Sequence, residues 1–202
     1  GKSVSGVSRG LSCWYTNATS LTPDKLDELR AESVDKAYDV RFVTETWFND
    51  QTVDNIEGYE CFRRDRYGKR GGGVCIYASS SCSFNFRETN NERLNSSNIE
   101  QVWCVADSGI ESILLGCIYR PKIIRDSKGV IGSLDVHRKR DKEINKSIYM
   151  ANSLVRKGVY QGVLIAGDFN YNELDWNGSL EPVILTQRVE IEALSQRVLL
   201  NL

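Results

Sequence analysis

The sequence predicts an α/β (α+β) domain in which mixed β-sheets form most of the core. Two observations lead to this prediction: predicted strands outnumber predicted helices, and several strands follow one another with no helix between them. A doubly wound parallel sheet needs a helix after nearly every strand, because parallel neighbours require a long crossover. We therefore expect a layered domain with mixed sheets, not a regular alternation of strand and helix.

Three segments are predicted as helices. The chain opens as strand, helix, strand, with Thr22 as the cap and Pro23 in the first turn of the helix. The longest helix is predicted over 135–157, where apolar residues recur at three- and four-residue spacing and Gly158 follows as a C-terminal cap. A third helix is predicted over 187–198. Strands are predicted over 11–16, 39–44, 59–63, 73–78, 99–106, 112–119 and 162–166.

The composition is that of an ordinary globular protein. Of the 202 residues, 41% are hydrophobic and 26% are charged, and the formal net charge is -1. We expect one domain over 9–202, preceded by a flexible segment over 1–8 that lacks the apolar centre of a signal peptide. No apolar run is long enough to span a membrane. The six cysteines form no C-x-x-C pair, which favours buried free thiols in a protein that is not secreted.

Polar residues follow four of the predicted strands. They are Asn17, Glu45, Tyr119 and the pair Asp168 and Asn170. Loops at strand ends are where a rigid scaffold commonly carries its chemistry. A single polar residue at such a place is usually a cap or a turn residue, but four positions after four different strands predict a shared site.

Each position has a functional role and a structural alternative. Glu45 is a hard oxygen ligand suited to Mg²⁺, which takes few protein carboxylates; alternatively it pairs with an arginine at the sheet edge. Asp168 would orient or deprotonate an attacking water while Asn170 donates to a phosphate oxygen, whereas an Asx-turn needs only one of the two. Tyr119 and Arg120 are both donors to phosphate oxygens, although Tyr119 alternatively packs on its own sheet.

A run of cations at 63–70 is a second candidate surface. It holds five Lys and Arg residues in eight positions, with Tyr67 among them and glycines after them. We predict that Arg64, Arg66 and Tyr67 contact the phosphate backbone of DNA, although most such runs are solvated faces. The single histidine, His137, lies in a polar, cationic segment near a helix start, and we expect it on the exposed surface.

Five motifs, in this order, resemble those of a known superfamily. They are WYTNATSL at 14–21, TETW at 44–47, GGGVCIY at 71–77, CIYRP at 117–121 and AGDFN at 166–170. The series resembles the endonuclease/exonuclease/phosphatase superfamily and, more narrowly, the apurinic-type endonuclease domain of non-LTR retrotransposons. Tyr171 and the Asp175–Trp176 pair favour that branch, and Tyr171 is counted with the substrate-binding residues.

The resemblance implies a four-layered sandwich of two mixed β-sheets flanked by helices, and phosphodiester hydrolysis that depends on Mg²⁺ or Mn²⁺. It places Asn17 and Glu45 at the metal, Tyr119 at the scissile phosphate, Asp168 at the attacking water and Asn170 at the transition state. It also implies DNA as the partner, the element's own reverse transcriptase domain in a longer polypeptide, and a nuclear or cytoplasmic location.

One departure from the family pattern limits the expected activity. The superfamily closes its site with a Ser-Asp-His motif on a later strand, and no such motif follows 168–170 in this sequence. We therefore expect a C-terminally truncated domain whose last strands are missing; losing one transition-state donor alone costs about 10²–10³-fold in rate. Two alternatives stay open: a phosphatase of the same fold acting on a phosphoinositide or small molecule, and a non-catalytic remnant that binds DNA or another partner.

Overall fold

The computed structural model describes residues 10–96, 98–122, 134–170, 191–193 and 198–201. Within these ranges the chain forms two helices and ten strands. The helices are α1 (Pro23–Asp35) and α2 (Leu134–Arg156). The strands are β1 (Cys13–Asn17), β2 (Val40–Thr44), β3 (Tyr59–Arg64), β4 (Val74–Ser79), β5 (Asn85–Glu88), β6 (Glu100–Asp107), β7 (Ser112–Tyr119), β8 (Gly162–Asp168), β9 (Ile191–Ala193) and β10 (Val198–Asn201).

The strands form two mixed sheets. The first has the order β3-β4-β2-β1-β9 and the second the order β10-β8-β7-β6-β5. β1 lies parallel to β2 and to β9, β7 lies parallel to β8, and the other pairs are antiparallel. The predicted fold class is therefore confirmed, including the two mixed sheets.

Three apolar clusters hold the layers together. The cluster between the sheets joins residues of both, among them Phe42 and Ile76 from the first sheet and Leu115 and Ala166 from the second. On the outer face of the first sheet, α1 buries Leu26 and Leu29. On the outer face of the second sheet, α2 packs through positions that include Ile144 and Ala151. The resulting order of layers is helix, sheet, sheet, helix.

The helix ends have the predicted caps. The Thr22 hydroxyl accepts a hydrogen bond from the backbone N–H of Lys25, and Pro23 occupies the first turn of α1. Gly158 has a φ of +71° and donates its N–H to the carbonyl of Val155 after the end of α2. Neither described helix has an apolar stretch that could cross a lipid bilayer.

Two predictions of secondary structure need correction. The helix predicted over 187–198 is wrong, because 191–193 pair with β1 and Val198 begins a strand that pairs with β8. These two short strands also follow β8 at the edges of both sheets, where the sequence led us to expect none. β5 was missed because its four residues are mostly exposed and offer no apolar run. The predicted flexible segment 1–8 lies outside the described residues.

The register between β7 and β8 depends on close backbone contact at Gly167. A Cβ atom built on Gly167 would overlap the carbonyl oxygen of Ile118 on the neighbouring strand. Gly162, in the same strand, has no atom within 4 Å of such a Cβ. The two glycines therefore separate the effect of backbone crowding from the general effect of adding a methyl group to this strand.

We expect Gly167→Ala to lower the free energy of unfolding by about 1–3 kcal/mol, the usual cost of overpacking a tight core. The matched control Gly162→Ala should change it little or raise it slightly, because alanine reduces the conformational entropy of the unfolded chain. Urea unfolding followed by tryptophan fluorescence gives both values. Equal effects of the two substitutions would show that the β7–β8 contact has room to relax.

Candidate active site

Parallel pairing brings the predicted polar positions to one end of the two sheets. In the first sheet, Asn17 is in register with Thr44, which directly precedes Glu45. In the second sheet, Tyr119 is in register with Asp168. The sheets pack face to face, so the ends of four neighbouring strands meet across the sandwich.

The side chain of Asn17 bridges the two sheets. Its Nδ2 donates to Oδ2 of Asp168 at 2.9 Å and to Oε1 of Glu45 at 3.2 Å. Its Oδ1 accepts from the backbone N–H of Thr19 at 2.9 Å, and this contact fixes which way the amide faces. Asn17 thus presents a donor to the carboxylates, and the metal-ligand role predicted for it would require its amide to rotate.

Glu45 is surrounded by hydrogen-bond donors. Oε1 also accepts from the hydroxyl of Tyr119 at 2.9 Å, and Oε2 accepts from the indole N–H of Trp47 at 3.4 Å. Burial raises the pKa of Tyr119 well above its usual value, and the hydrogen bond to Glu45 raises it further. Tyr119 therefore stays a neutral phenol that can donate a hydrogen bond at physiological pH.

Asp168 is a buried carboxyl group at the centre of this arrangement. Only 6% of its surface is exposed, and this burial raises its pKa above the ordinary aspartate value. Hydrogen bonds from Asn17 and from Asn170, together with the charge of Lys122, favour the ionised form and limit the rise in pKa. A carboxyl group whose pKa is raised in this way is suited to accept a proton.

The loop after β8 is held by Arg120. The side-chain amide of Asn170 donates to the Arg120 carbonyl at 2.8 Å, and the Arg120 guanidinium donates to the Asn170 carbonyl at 3.0 Å. The same guanidinium forms a bidentate ion pair with Asp141 of α2 at 2.8 and 2.9 Å and is 4% exposed. These contacts hold the Arg120 guanidinium against α2 and the loop after β8, so it positions that loop, and its predicted contact with a phosphate stays a prediction.

Non-glycine residues around the site, Glu45, Trp47 and Asn170 among them, have backbone conformations in the left-handed region. The φ angles are 54° for Glu45, 57° for Trp47 and 47° for Asn170. Each such residue costs about 1–3 kcal/mol unless its surroundings over-determine it. The backbone of Trp47 is held by a 2.8 Å hydrogen bond to the carbonyl of Gly72. Strain of this kind clusters at functional sites.

The cationic run divides into paired and exposed members. Arg66 donates to Glu100 at 2.6 and 2.9 Å, and its guanidinium lies 5.8 Å from the ring centre of Tyr119. Arg64 donates to the carbonyl of Asn95 at 3.2 Å. Tyr67 is 96% exposed at the tip of the loop. The predicted contacts of these three residues with DNA stay predictions.

His137 and Trp47 differ from what the sequence led us to expect. His137 is partly buried and not fully exposed as expected, since its Nδ1 lies 2.9 Å from a guanidinium nitrogen of Arg140. Trp47 was not predicted as a site residue, although it stands two positions after Glu45 in the TETW motif. Tyr171 lies outside the described residues.

The carboxylates of Glu45 and Asp168 offer hard oxygen atoms that suit a small divalent cation. Asn17 donates to both, so the two carboxylates lie around one point. Within the described ranges no Lys or Arg forms an ion pair with either of them, and no three His, Cys, Asp or Glu side chains gather into a metal site. Mg²⁺ and Mn²⁺ fit this arrangement, because Mg²⁺ is usually bound by one or two carboxylates and keeps several waters.

Comparison with solved structures identifies the fold. The AP endonuclease LMAP from Leishmania major superposes with a TM-score of 0.56 at 18% identity, over 77% of this chain and 53% of that one. The 3′ phosphatase NExo from Neisseria, bound to a product DNA hairpin, gives 0.54 at 15% identity, over 81% and 58%. The chain has the endonuclease/exonuclease/phosphatase fold.

A third solved structure shares the fold, and comparisons of the sequence alone find no match. Truncated TDP2 from Caenorhabditis elegans shares the fold with a TM-score of 0.50 at 12% identity, over 79% of this chain and 61% of that one. The chain thus spans a little over half the length of the solved structures it matches. No protein-family model matches the sequence, and no curated protein matches it significantly.

Asp168→Asn tests the cost of burying the central carboxyl group. Because burial raises the pKa of Asp168, folding favours its protonated form. The free energy of unfolding of the wild type therefore falls as the pH rises from the unfolded pKa of about 3.9 through the higher folded pKa of Asp168. We expect the stability of Asp168→Asn relative to wild type to increase between about pH 3 and about pH 7. Urea unfolding in EDTA measures this difference, and a difference that stays constant with pH would contradict the expectation.

Proposed function

We propose that this chain is a divalent-metal-dependent phosphodiester hydrolase that nicks DNA. One observation carries the proposal: a single amide, that of Asn17, hydrogen-bonds both Asp168 and Glu45, and the hydroxyl of Tyr119 donates to the same Glu45. The group combines a proton acceptor, two donors and a cation ligand within hydrogen-bonding reach of one another. The fold supports the proposal, since similar structures include an AP endonuclease and a 3′ phosphatase bound to a DNA hairpin.

The residues divide the chemistry among them. Asp168 accepts the proton of the attacking water, which its raised pKa favours. Asn17 orients that carboxylate. The neutral hydroxyl of Tyr119, which donates to Glu45 in this structure, would turn to donate to a phosphate oxygen when substrate binds. The contacts between Asn170 and Arg120 fix the loop that begins after Asp168. Glu45 would hold Mg²⁺ or Mn²⁺, and the cation would stabilise negative charge that develops on the phosphate oxygens.

We further propose that the chain is the endonuclease domain of a non-LTR retrotransposon. It rests on the five ordered motifs and on the Asp175–Trp176 pair. DNA is then the substrate, and a reverse transcriptase domain of the same polypeptide is the predicted partner. Sequencing the coding DNA beyond codon 202 tests this assignment: a Ser-Asp-His motif followed by a polymerase domain supports it, and an unrelated domain rejects it.

We expect slow nicking of supercoiled plasmid in Mg²⁺, because no histidine follows Asp168 in the 202 residues. EDTA should abolish it, and Asp168→Ala should reduce it by at least about 10²-fold, since the proton acceptor is lost. Gel separation of nicked from supercoiled plasmid gives the rates.

Glu57→Gln is the matched control, because Glu57 is exposed and precedes β3 at the sheet end opposite Arg64. Nicking that survives Asp168→Ala would point to a contaminating nuclease and remove the support for this function. Release of phosphate from inositol phospholipids, with no nicking, would instead favour the phosphatase alternative.

Metal binding can be measured without turnover. We expect Glu45→Gln to weaken Mn²⁺ binding at least about tenfold, because a charged ligand becomes neutral while its size is kept. Loss of the free Mn²⁺ signal in electron paramagnetic resonance gives the dissociation constant. Glu57→Gln should bind Mn²⁺ like the wild type. Equal affinities for all three proteins would mean that Glu45 does not hold the cation.

A further inference from the structure

A groove of about 660 Å³ runs beside the candidate active site. One wall is the loop between β3 and β4, and the other is the start of α2 with the residue that follows β7 by two positions. The residues that matter for its chemistry are Arg64, Arg66, Tyr67, Lys69, His137 and Arg140. The sequence did not predict the second wall, because His137 and Arg140 lie some 70 positions after the loop that they face.

The groove carries an excess of positive charge. Four Arg and Lys side chains line it against two carboxyl groups, those of Asp65 and Glu100. Both acids are already engaged in ion pairs: Asp65 with Arg63 at 3.4 Å, and Glu100 with Arg66 at 2.6 Å. A linear polyanion fits this distribution, because cations are present on both walls and not at a single point.

The tip of the loop presents an aromatic ring to solvent. Tyr67 is 96% exposed and has Arg66 and Lys69 close to it in the chain. Aromatic rings interleaved with cations along a groove are typical of proteins that bind single-stranded nucleic acid, where bases stack on the rings and phosphates meet the cations.

The groove adjoins the catalytic group. Arg66, which lines the groove, lies over the ring of Tyr119 at 5.8 Å. Pro121, also part of the lining, follows Tyr119 by two residues. A strand whose phosphate lies at Tyr119 can therefore continue along the groove without leaving the protein surface.

We propose that this groove binds the backbone of single-stranded nucleic acid next to the cleaved bond, with an unpaired base stacked on Tyr67. His137 and Arg140 form the far wall that keeps the strand in place. The proposal rests on the proposed function, because it places an unpaired stretch of the DNA strand at the hydrolytic site, and negative supercoiling favours the opening of such stretches in a plasmid.

Binding measured in EDTA tests the groove apart from hydrolysis. The probe is a fluorescein-labelled oligothymidylate of about 12 nucleotides, and anisotropy is recorded over a series of salt concentrations. We expect Lys69→Ala to reduce the slope of log affinity against log salt by about 0.7, the value for one phosphate contact with a single strand. Tyr67→Ala should weaken binding about 5- to 100-fold, the usual range for one stacked base.

The chain offers matched controls for both substitutions. Lys139 and Tyr149 are exposed on α2 and do not line the groove, so Lys139→Ala and Tyr149→Ala should bind like the wild type. All four positions are exposed, so the variants should fold normally. Equal effects of Lys69→Ala and Lys139→Ala, or of Tyr67→Ala and Tyr149→Ala, would overturn the proposal. A duplex of the same length that binds as tightly as the single strand would also overturn it.

A small diester separates this proposal from the function it rests on. Hydrolysis of bis(p-nitrophenyl) phosphate reports the catalytic group and does not need the groove. The wild type is assayed on this diester, while Lys69→Ala and Tyr67→Ala are assayed for oligonucleotide affinity alone, so the two readouts are independent. If the wild type binds the oligonucleotide through the groove and no diester is hydrolysed, the proposed function fails and the groove assignment stands.

Discussion

The distance between the two sheets is the constraint on which the site depends. Asn17 belongs to β1 of one sheet and Asp168 to β8 of the other, yet their side chains meet at 2.9 Å. Facing sheets lie about 10 Å apart when side chains of ordinary size interdigitate. The cluster between the sheets, with Phe42 and Leu115 among its members, sets that spacing. The apolar core therefore fixes the polar geometry at its end.

Backbone strain is concentrated where rigid strands stop. Glu45 follows β2 and Asn170 follows β8, and both have positive φ angles. Neighbouring segments stabilise these conformations: Gly72 accepts from the N–H of Trp47, and Arg120 holds the carbonyl of Asn170. A side chain at Gly73 would also crowd the hydroxyl of Thr46 at 2.6 Å. Gly72 and Gly73 thus help to stabilise the backbone conformation around Glu45.

The sequence predicted what depends on local patterns and missed what depends on distant contacts. The strand over 112–119 was predicted with its observed bounds, because a continuous apolar run reflects burial on both faces. The four strand ends were recognised because polar residues interrupt such runs. The ion pair of Arg120 was not foreseen, since its partner Asp141 lies 21 positions away. The wall formed by His137 and Arg140 was missed because it exists only after α2 packs on the second sheet.

The loop between β3 and β4 combines a fixed base with an exposed tip. At the base, the N–H of Gly73 donates to Glu100 at 2.7 Å, and Gly72 hydrogen-bonds Trp47. At the tip, no atom lies within 4 Å of a Cβ built on Gly68, and Tyr67 points into solvent. Tyr67 and Lys69 can therefore be exchanged while the base keeps its attachment, whereas Gly68 is required for its φ of +74° and Arg70 lies 5.2 Å from the ring centre of Trp47. Laboratory libraries restricted to positions 67 and 69 would vary which ligands this loop prefers without changing the residues around Glu45 and Asp168.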